Sequence, residues 1–485
     1  MVFNDRGAAQ EEWWLLGGAD GIPWAEVGAY SQMIDDSTVS GALQPFELKP
    51  DENLLPRLHP WHPWRFPVDP DYRPEHPRLW TDINHNSIYK STETALFVDG
   101  DPGTYVERRG TILSSLGDKG WRPGAVFFTI DMGTQVPIDR FVFYPPEGVS
   151  PESDEPFTPN YILKSFSLSA NVEETGIMQE ELERGFVWRG DGPCCALDIP
   201  LAREERNNAK ITEISFPLQA LRFLRLIAIP DGFTLLGDPI VTRMAFAELE
   251  VYGRGFAPRA TWESQIIDIG REVNFGQVVF AVSKWRKDGE QVVAADGPVR
   301  AQVEIRTGRD DTPTRYFGYD DLGSYVEVTR RQWNRLTPAE TRGSTIAVGY
   351  RGPRSEDLEN WSFWSLPLTE SGRHPRLPWG QYMQIRVRLE TDAFFEFARL
   401  DSLRIAIAPL LADRIFGEVV LADEFRPPGG RVQVPVGEAR SFVCDIGAMF
   451  SSGDRNGFDA LRILAPARAE FSWLEMGDDL DRAEP

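Results

Sequence analysis

Asp99-Gly100-Asp101-Pro102-Gly103-Thr104 sets two carboxylates and a hydroxyl on one glycine-containing turn. Such oxygens are hard donors, and a calcium ion takes roughly six to eight of them at about 2.3–2.6 Å from a flexible loop. Gly100 and Gly103 permit the curvature that turns carbonyls inward. Asp-Gly is also among the commonest turn dipeptides, so a metal-free Asx turn accounts for the same residues, and both readings stay open on the turn alone. Other chemistry is harder to assemble. Of the five histidines, His59, His62, His76 and His85 lie within the first 85 residues and only His374 lies beyond them. That leaves little for a Ser-His pair or a metal site. His59 and His62 have no cysteine or fixed acid beside them and read as packing within an aromatic segment. The chain has no GxSxG, HExxH or phosphate-loop motif. Among 74 acidic residues some carboxylates meet by chance, so a glycosidase pair cannot be argued and no catalytic residue is assigned. Trp361 and Trp364 could stack on a sugar, but alternation along a strand accounts for them better, with one ring inward and the other at a domain seam.

These residues sit in a chain of 485, enough for about three domains with full cores. The 74 acids against 51 bases leave a net charge of -23, which repels phosphate backbones and disfavours a nucleic-acid partner. Apolar residues at 41% exclude a mostly disordered chain. No run approaches the ~18 apolar residues of a membrane-spanning helix. Cys194, Cys195 and Cys444 are too few and odd in number for a disulfide framework; they read as inert thiols with no role assigned. The opening residues are acidic and only briefly apolar, so no export signal is visible.

Residues 1–85 carry prolines every three or four positions around 60–77, interleaved with Trp, Phe and Tyr. Proline fixes φ and removes a donor, which predicts an extended N-terminal arm without regular structure from Pro60 to Trp80, its aromatics laid against protein. Beyond residue 90 the texture is β: short apolar runs at 125–131, 141–144, 166–170, 221–229 and 246–252 are bounded by Pro, Gly or Asp. An all-β chain of tandem sandwiches follows. Internal repetition supports it. Ile130-Asp131-Met132-Gly133 recurs as Ile267-Asp268-Ile269-Gly270 and again as Cys444-Asp445-Ile446-Gly447. The first two copies are followed by late arginine-bearing strands, aligned as 222–226 with 383–387.

The first repeat resembles the discoidin-like family (coagulation-factor type C, galactose-binding-like). The resemblance rests on the DGD-x-x-T turn at 99–104, on Ile130-Asp131-Met132-Gly133, on Arg222-Phe223-Leu224-Arg225-Leu226, and on the close Ala247-Glu248-Leu249-Glu250-Val251-Tyr252-Gly253. It implies a jelly-roll sandwich over residues 86–255. It also implies a structural Ca²⁺ held by Asp99, Asp101, Thr104 and Glu248, the last tying the final strand to the first loop. Residues 256–412 look like a more distant galactose-binding-like sandwich without the calcium turn. Residues 413–485 read as a partial third sandwich or C-terminal β extension, to be completed by a neighbour or by further sequence. The tail at 477–485, four acids against one Arg, reads as solvated.

The expectation is a non-catalytic structural or binding subunit of an extracellular or cell-surface assembly. Its partners would be neighbouring protein subunits, in a homo-oligomer or filament. The alternative is a carbohydrate-binding adhesin, or an accessory module of a secreted glycan-active enzyme, with glycans as partners. For that reading Trp121, Phe157 and Tyr161 are the candidates at the mouth of the first sandwich.

Overall fold

The computed structural model describes residues 12–58, 98–110, 126–151, 153–172, 197–229, 242–336, 349–424, 437–450 and 470–476, with a few shorter pieces beside them. The chain divides into two compact units, residues 12–407 and the C-terminal residues from 408 onward, the latter grouped with residues 1–11. Among the described residues nearly all regular structure is strand, and the α-helices are single turns such as Trp24–Val27 and Phe157–Asn160. No described helix is long and apolar enough to cross a membrane.

The described part of the N-terminal segment, residues 12–58, carries regular strands and not only extended chain. Strands β1 (Glu12–Gly17) and β2 (Gly28–Gln32) are built into a sheet formed mostly by residues beyond 258. The apolar run at 13–16 has strand-forming residues and needs a partner edge, and it finds one in register from Glu12↔Ile407 to Gly17↔Ser402. Trp24 follows it into the core at 2% exposure, packs edge-on against Trp262 at 5.2 Å, and donates its Nε1–H to the Gly41 carbonyl at 3.0 Å. Trp24→Ala should therefore cost about 3–5 kcal/mol in urea unfolding, as large-to-small changes in a packed core do. A loss below about 1 kcal/mol would mean that this segment is dispensable to the sheet. Within the expected irregular stretch from Pro60 to Trp80, β3 (Arg78–Thr81) is also a strand; most of 59–77 lies outside the described residues.

The first sheet combines β3 with β4 (Val126–Tyr144), β5 (Phe166–Asn171), β6 (Ile199–Glu204), β7 (Thr212–Ala228) and β8 (Glu248–Gly253). Its order is β6-β5-β7-β4-β3, with the short His62–Pro63 strand beside β3 and β8 paired to β4. A two-stranded ribbon, Val106–Gly110 with Thr242–Phe246, supplies Phe246 to the inner face. That ring meets Phe128 at 5.1 Å and Phe143 at 5.6 Å, both edge-on. The second sheet has the order β1-β13-β10-β12-β9-β2, with β11 on β12. Its strands are β9 (Arg259–Ser264), β10 (Ile267–Asp288), β11 (Val299–Gly308), β12 (Gly380–Thr391) and β13 (Glu396–Pro409). One continuous apolar core runs through both sheets.

The Asp-apolar-Gly repeat has a structural cause in its first two copies. Asp131 Oδ1 accepts the Gly133 N–H at 2.8 Å, and Asp268 Oδ1 accepts the Gly270 N–H at 2.7 Å. Each glycine is left-handed, at φ 78° and 81°, where a side chain would be strained. Each turn breaks the strand register at the same place, Asp131/Val136 and Asp268/Val273. The ladders also correct the alignment of the late strands. Asp131 faces Phe223 and Asp268 faces Tyr382, so 222–226 corresponds to 381–385 rather than to 383–387. A two-residue shift leaves every side chain on its own face, which is why alternation could not detect it.

In the C-terminal unit, β14 (Arg414–Leu421) and β15 (Phe442–Met449) form a hairpin-like pair in unbroken register. The third copy lies in β15, and Gly447 there is not left-handed but lies against the Phe416 ring. Leu474–Met476 pairs with Asp481–Ala483, so part of the expected solvated tail is in a strand.

Candidate functional site

The acidic turn folds as Asp-Gly chemistry dictates. Asp99 Oδ1 accepts the Asp101 N–H at 2.9 Å, and Asp101 Oδ1 accepts the Gly103 N–H at 2.8 Å. Gly100 takes φ 77°, and a Cβ there would press on Pro56 at 3.0 Å. The Thr104 hydroxyl lies 2.9 Å from Asp99 Oδ2 and 3.0 Å from the Asp101 carbonyl. Four oxygens from three residues thus gather on one small turn.

Glu248, on β8, completes the group. It is 1% exposed, and neither carboxylate oxygen has a hydrogen-bond partner. Burial, and then the adjoining Asp99 carboxylate, push its carboxyl up to about 9. An orphaned buried carboxyl is costly, and a cation among these oxygens would remove the cost. The four residues fit a hard cation on that ground. Two carboxylates, a carbonyl and a hydroxyl would be its donors; among the described residues no three His, Cys, Asp or Glu side chains converge.

Two of the three sugar-stacking candidates of the first sandwich do not serve. Phe157 and Tyr161 are 1% and 0% exposed and pack edge-on against each other at 5.4 Å, with Tyr105 on Phe157. The side chain of Trp121 and both Cys194 and Cys195 lie outside the described residues. Cys444 is half-buried, and burial raises its thiol.

A second site lies beside β11, where the segment 358–379 encloses a cleft of about 1080 Å³. Ser362 and Ser365 fasten it. The Ser362 and Ser365 N–H groups donate to the Thr307 and Ile305 carbonyls, and their hydroxyls accept the Thr307 and Ile305 N–H groups. Two β11 residues apart are matched by three on the segment, so simple alternation fails outside it. Trp361 does turn inward, at 4% exposure, over Gly308, where a Cβ would lie 2.1 Å from the ring. Trp364 is not at a domain seam: Arg386 lies 4.1 Å and Arg306 4.8 Å from its ring centroid. The rings left to solvent are Phe363, 68% exposed, and Trp379, 36% exposed, the latter with Arg309 at 5.6 Å. Sequence reasoning missed these two. For Trp379 the signal was present in the stretch from Pro367 to Pro375-Arg376-Leu377-Pro378-Trp379, whose prolines forbid a strand and leave its aromatic unpaired.

No family model and no curated protein matches the chain. Solved structures do resemble parts of it. The family 32 CBM from C. perfringens NanJ, in complex with galactose, is 11% identical over 36% of this chain and 93% of its own, with a TM-score of 0.20. Chitosan-binding module 2 of a Paenibacillus sp. IK-5 chitosanase/glucanase, in complex with chitotriose, is 14% identical over 36% and 95%, with a TM-score of 0.20. The lectin domain of lectinolysin, complexed with Lewis B antigen, is 11% identical over 37% and 94%, with a TM-score of 0.22. At these scores the likenesses decide neither a ligand nor a role, and the all-β architecture stands on its own strands.

Proposed function

We propose that the chain is a non-catalytic carbohydrate-binding protein of the cell exterior, an adhesin or an accessory module, and that its ligand lies in the 358–379 cleft. The observation that carries this is the pair of exposed rings, Phe363 and Trp379, set beside Arg309, Glu370 and His374. Sugar recognition needs an apolar ring face for the C–H side of a pyranose and polar groups for its hydroxyls, and the cleft offers both. A glycan array probed with the full chain should give selective binding, reduced at least about tenfold by Trp379→Ala and Phe363→Ala together. Absence of any glycan signal would defeat the reading. The first sandwich would hold Ca²⁺ through Asp99, Asp101, Thr104 and Glu248, as a staple between its first loop and last strand.

A structural subunit of a surface assembly is the second reading. Phe416, Val419, Phe442, Met449 and Phe450 are each at least half exposed in the C-terminal unit, an apolar display suited to protein contacts. A monomer at every concentration in sedimentation would exclude self-assembly.

A further inference from the structure

The cleft differs in charge chemistry from the sheet that carries it. On the sheet itself several arginines are matched to buried carboxylates. Arg259 and Arg300 share Glu390 at 3.1 and 2.7 Å, while Arg386 meets Glu263 at 2.7 Å and Arg388 meets Glu304 at 2.5 Å. In the cleft lining, three arginines stand against two glutamates, although the whole chain carries a charge of -23. Arg373 is taken by Glu370. Arg309 donates to the backbone carbonyl of Glu359 and lies against Trp379, with no carboxylate partner. Arg376 is exposed and has neither an ion pair nor a hydrogen bond among the described residues. Two guanidinium groups without a carboxylate partner among the described residues therefore border the exposed rings.

We infer that the cleft selects an acidic glycan, a chain of sugar rings bearing carboxylate or sulfate groups. The inference rests on the carbohydrate reading above and specifies its ligand. The rings of the glycan lie on Phe363 and Trp379, while Arg376 and Arg309 receive its anions. Guanidinium groups bind carboxylate and sulfate through charge-assisted, often bidentate hydrogen bonds, which a neutral sugar cannot supply. An arginine already ion-paired would have to give up a carboxylate first; among the described residues these two hold none. Because both are at the surface, the attraction is screened by salt, whereas ring stacking is not.

The test measures binding of the full chain to four probes: a neutral galactan, polygalacturonate, a sulfated galactan and polyglutamate. The expected result is at least about tenfold tighter binding to polygalacturonate or the sulfated galactan than to the neutral polymer at low salt. That advantage should shrink several-fold between roughly 50 and 500 mM NaCl. Arg376→Gln should lower affinity for the acidic polymer by about five- to tenfold and leave neutral binding and the melting temperature unchanged, while Arg309→Gln should lower affinity for the acidic polymer by more than it lowers neutral binding. The ratio between polygalacturonate and the sulfated galactan tells which anion the site prefers. Equal binding of neutral and acidic polymers, or no effect of either arginine change, would overturn the inference while leaving carbohydrate binding intact. Loss of all glycan binding would defeat both. Polyglutamate bound as tightly as polygalacturonate would show that the cleft reads charge on a peptide, and would overturn the acidic glycan.

Discussion

With a chelator present, the protein should lose stability steadily as pH rises from about 5 to 9, and added calcium should remove most of that loss. The cause is Glu248, whose carboxyl burial and Asp99 push up to about 9 from an ordinary 4.5. Below pH 4.5 the folded and unfolded chains both hold this proton, and the contribution is fully present. Between 4.5 and 9 the unfolded chain releases it while the folded chain retains it, so stability falls by up to about 1.4 kcal/mol per pH unit. Above 9 the loss levels off. In melting temperature this is roughly 10 °C across the window for a unit of this size. A calcium ion among Asp99, Asp101, Thr104 and Glu248 would hold the ionised carboxylate and stabilise the folded state by mass action. Glu248→Gln isolates the group: it should flatten the chelated profile, exceed the wild type in stability at pH 8 without calcium, and ignore added calcium. A chelated wild type with the same pH profile as the Gln variant would show that Glu248 is satisfied in solution. A calcium-independent melting temperature at pH 8 would dispose of the metal.

Asp131→Ala should be among the most destabilising single changes in the first sandwich. Asp131 and Arg222 are 2% and 5% exposed and meet in two bonds, of 2.7 and 3.1 Å. The same carboxylate also accepts the Gly133 N–H that shapes the turn. Removing it takes the carboxylate from a buried guanidinium, which costs about 3–5 kcal/mol, more than most exposed pairs contribute. Asp131→Leu combined with Arg222→Met should recover most of this, because an apolar pair of similar volume needs no counter-charge. The second repeat provides the control. Asp268 stands at the same place but is exposed and accepts from Gln381 at 2.9 Å, so Asp268→Ala should cost less than about 1 kcal/mol. Chemical unfolding of the four proteins measures all of these values. Equal losses for Asp131→Ala and Asp268→Ala would show that the turn, and not the buried ion pair, sets the cost.

What the chain determined locally was legible from its residues. The Asp-x-Gly turns at 131–133 and 268–270 come from an aspartate that caps its own backbone two residues on and a glycine that tolerates positive φ. The all-β class follows from short apolar runs between turn residues, and the oxygens of Asp99, Asp101 and Thr104 share a turn because they are neighbours in sequence. Tertiary structure alone decided the rest. Residue 12 lies beside residue 407, and Arg78–Thr81 beside β4, because those sheet edges were open to the N-terminal segment. No local pattern states which edge is open. Phe157 and Tyr161 went into a small core, while Phe363 and Trp379 were left outside by serine-fastened chain that departs from strand alternation. Arg222 and Arg376 are the same residue type in sequence. One became buried opposite a carboxylate and the other stayed unpaired, because pairing depends on what the fold brings across from each.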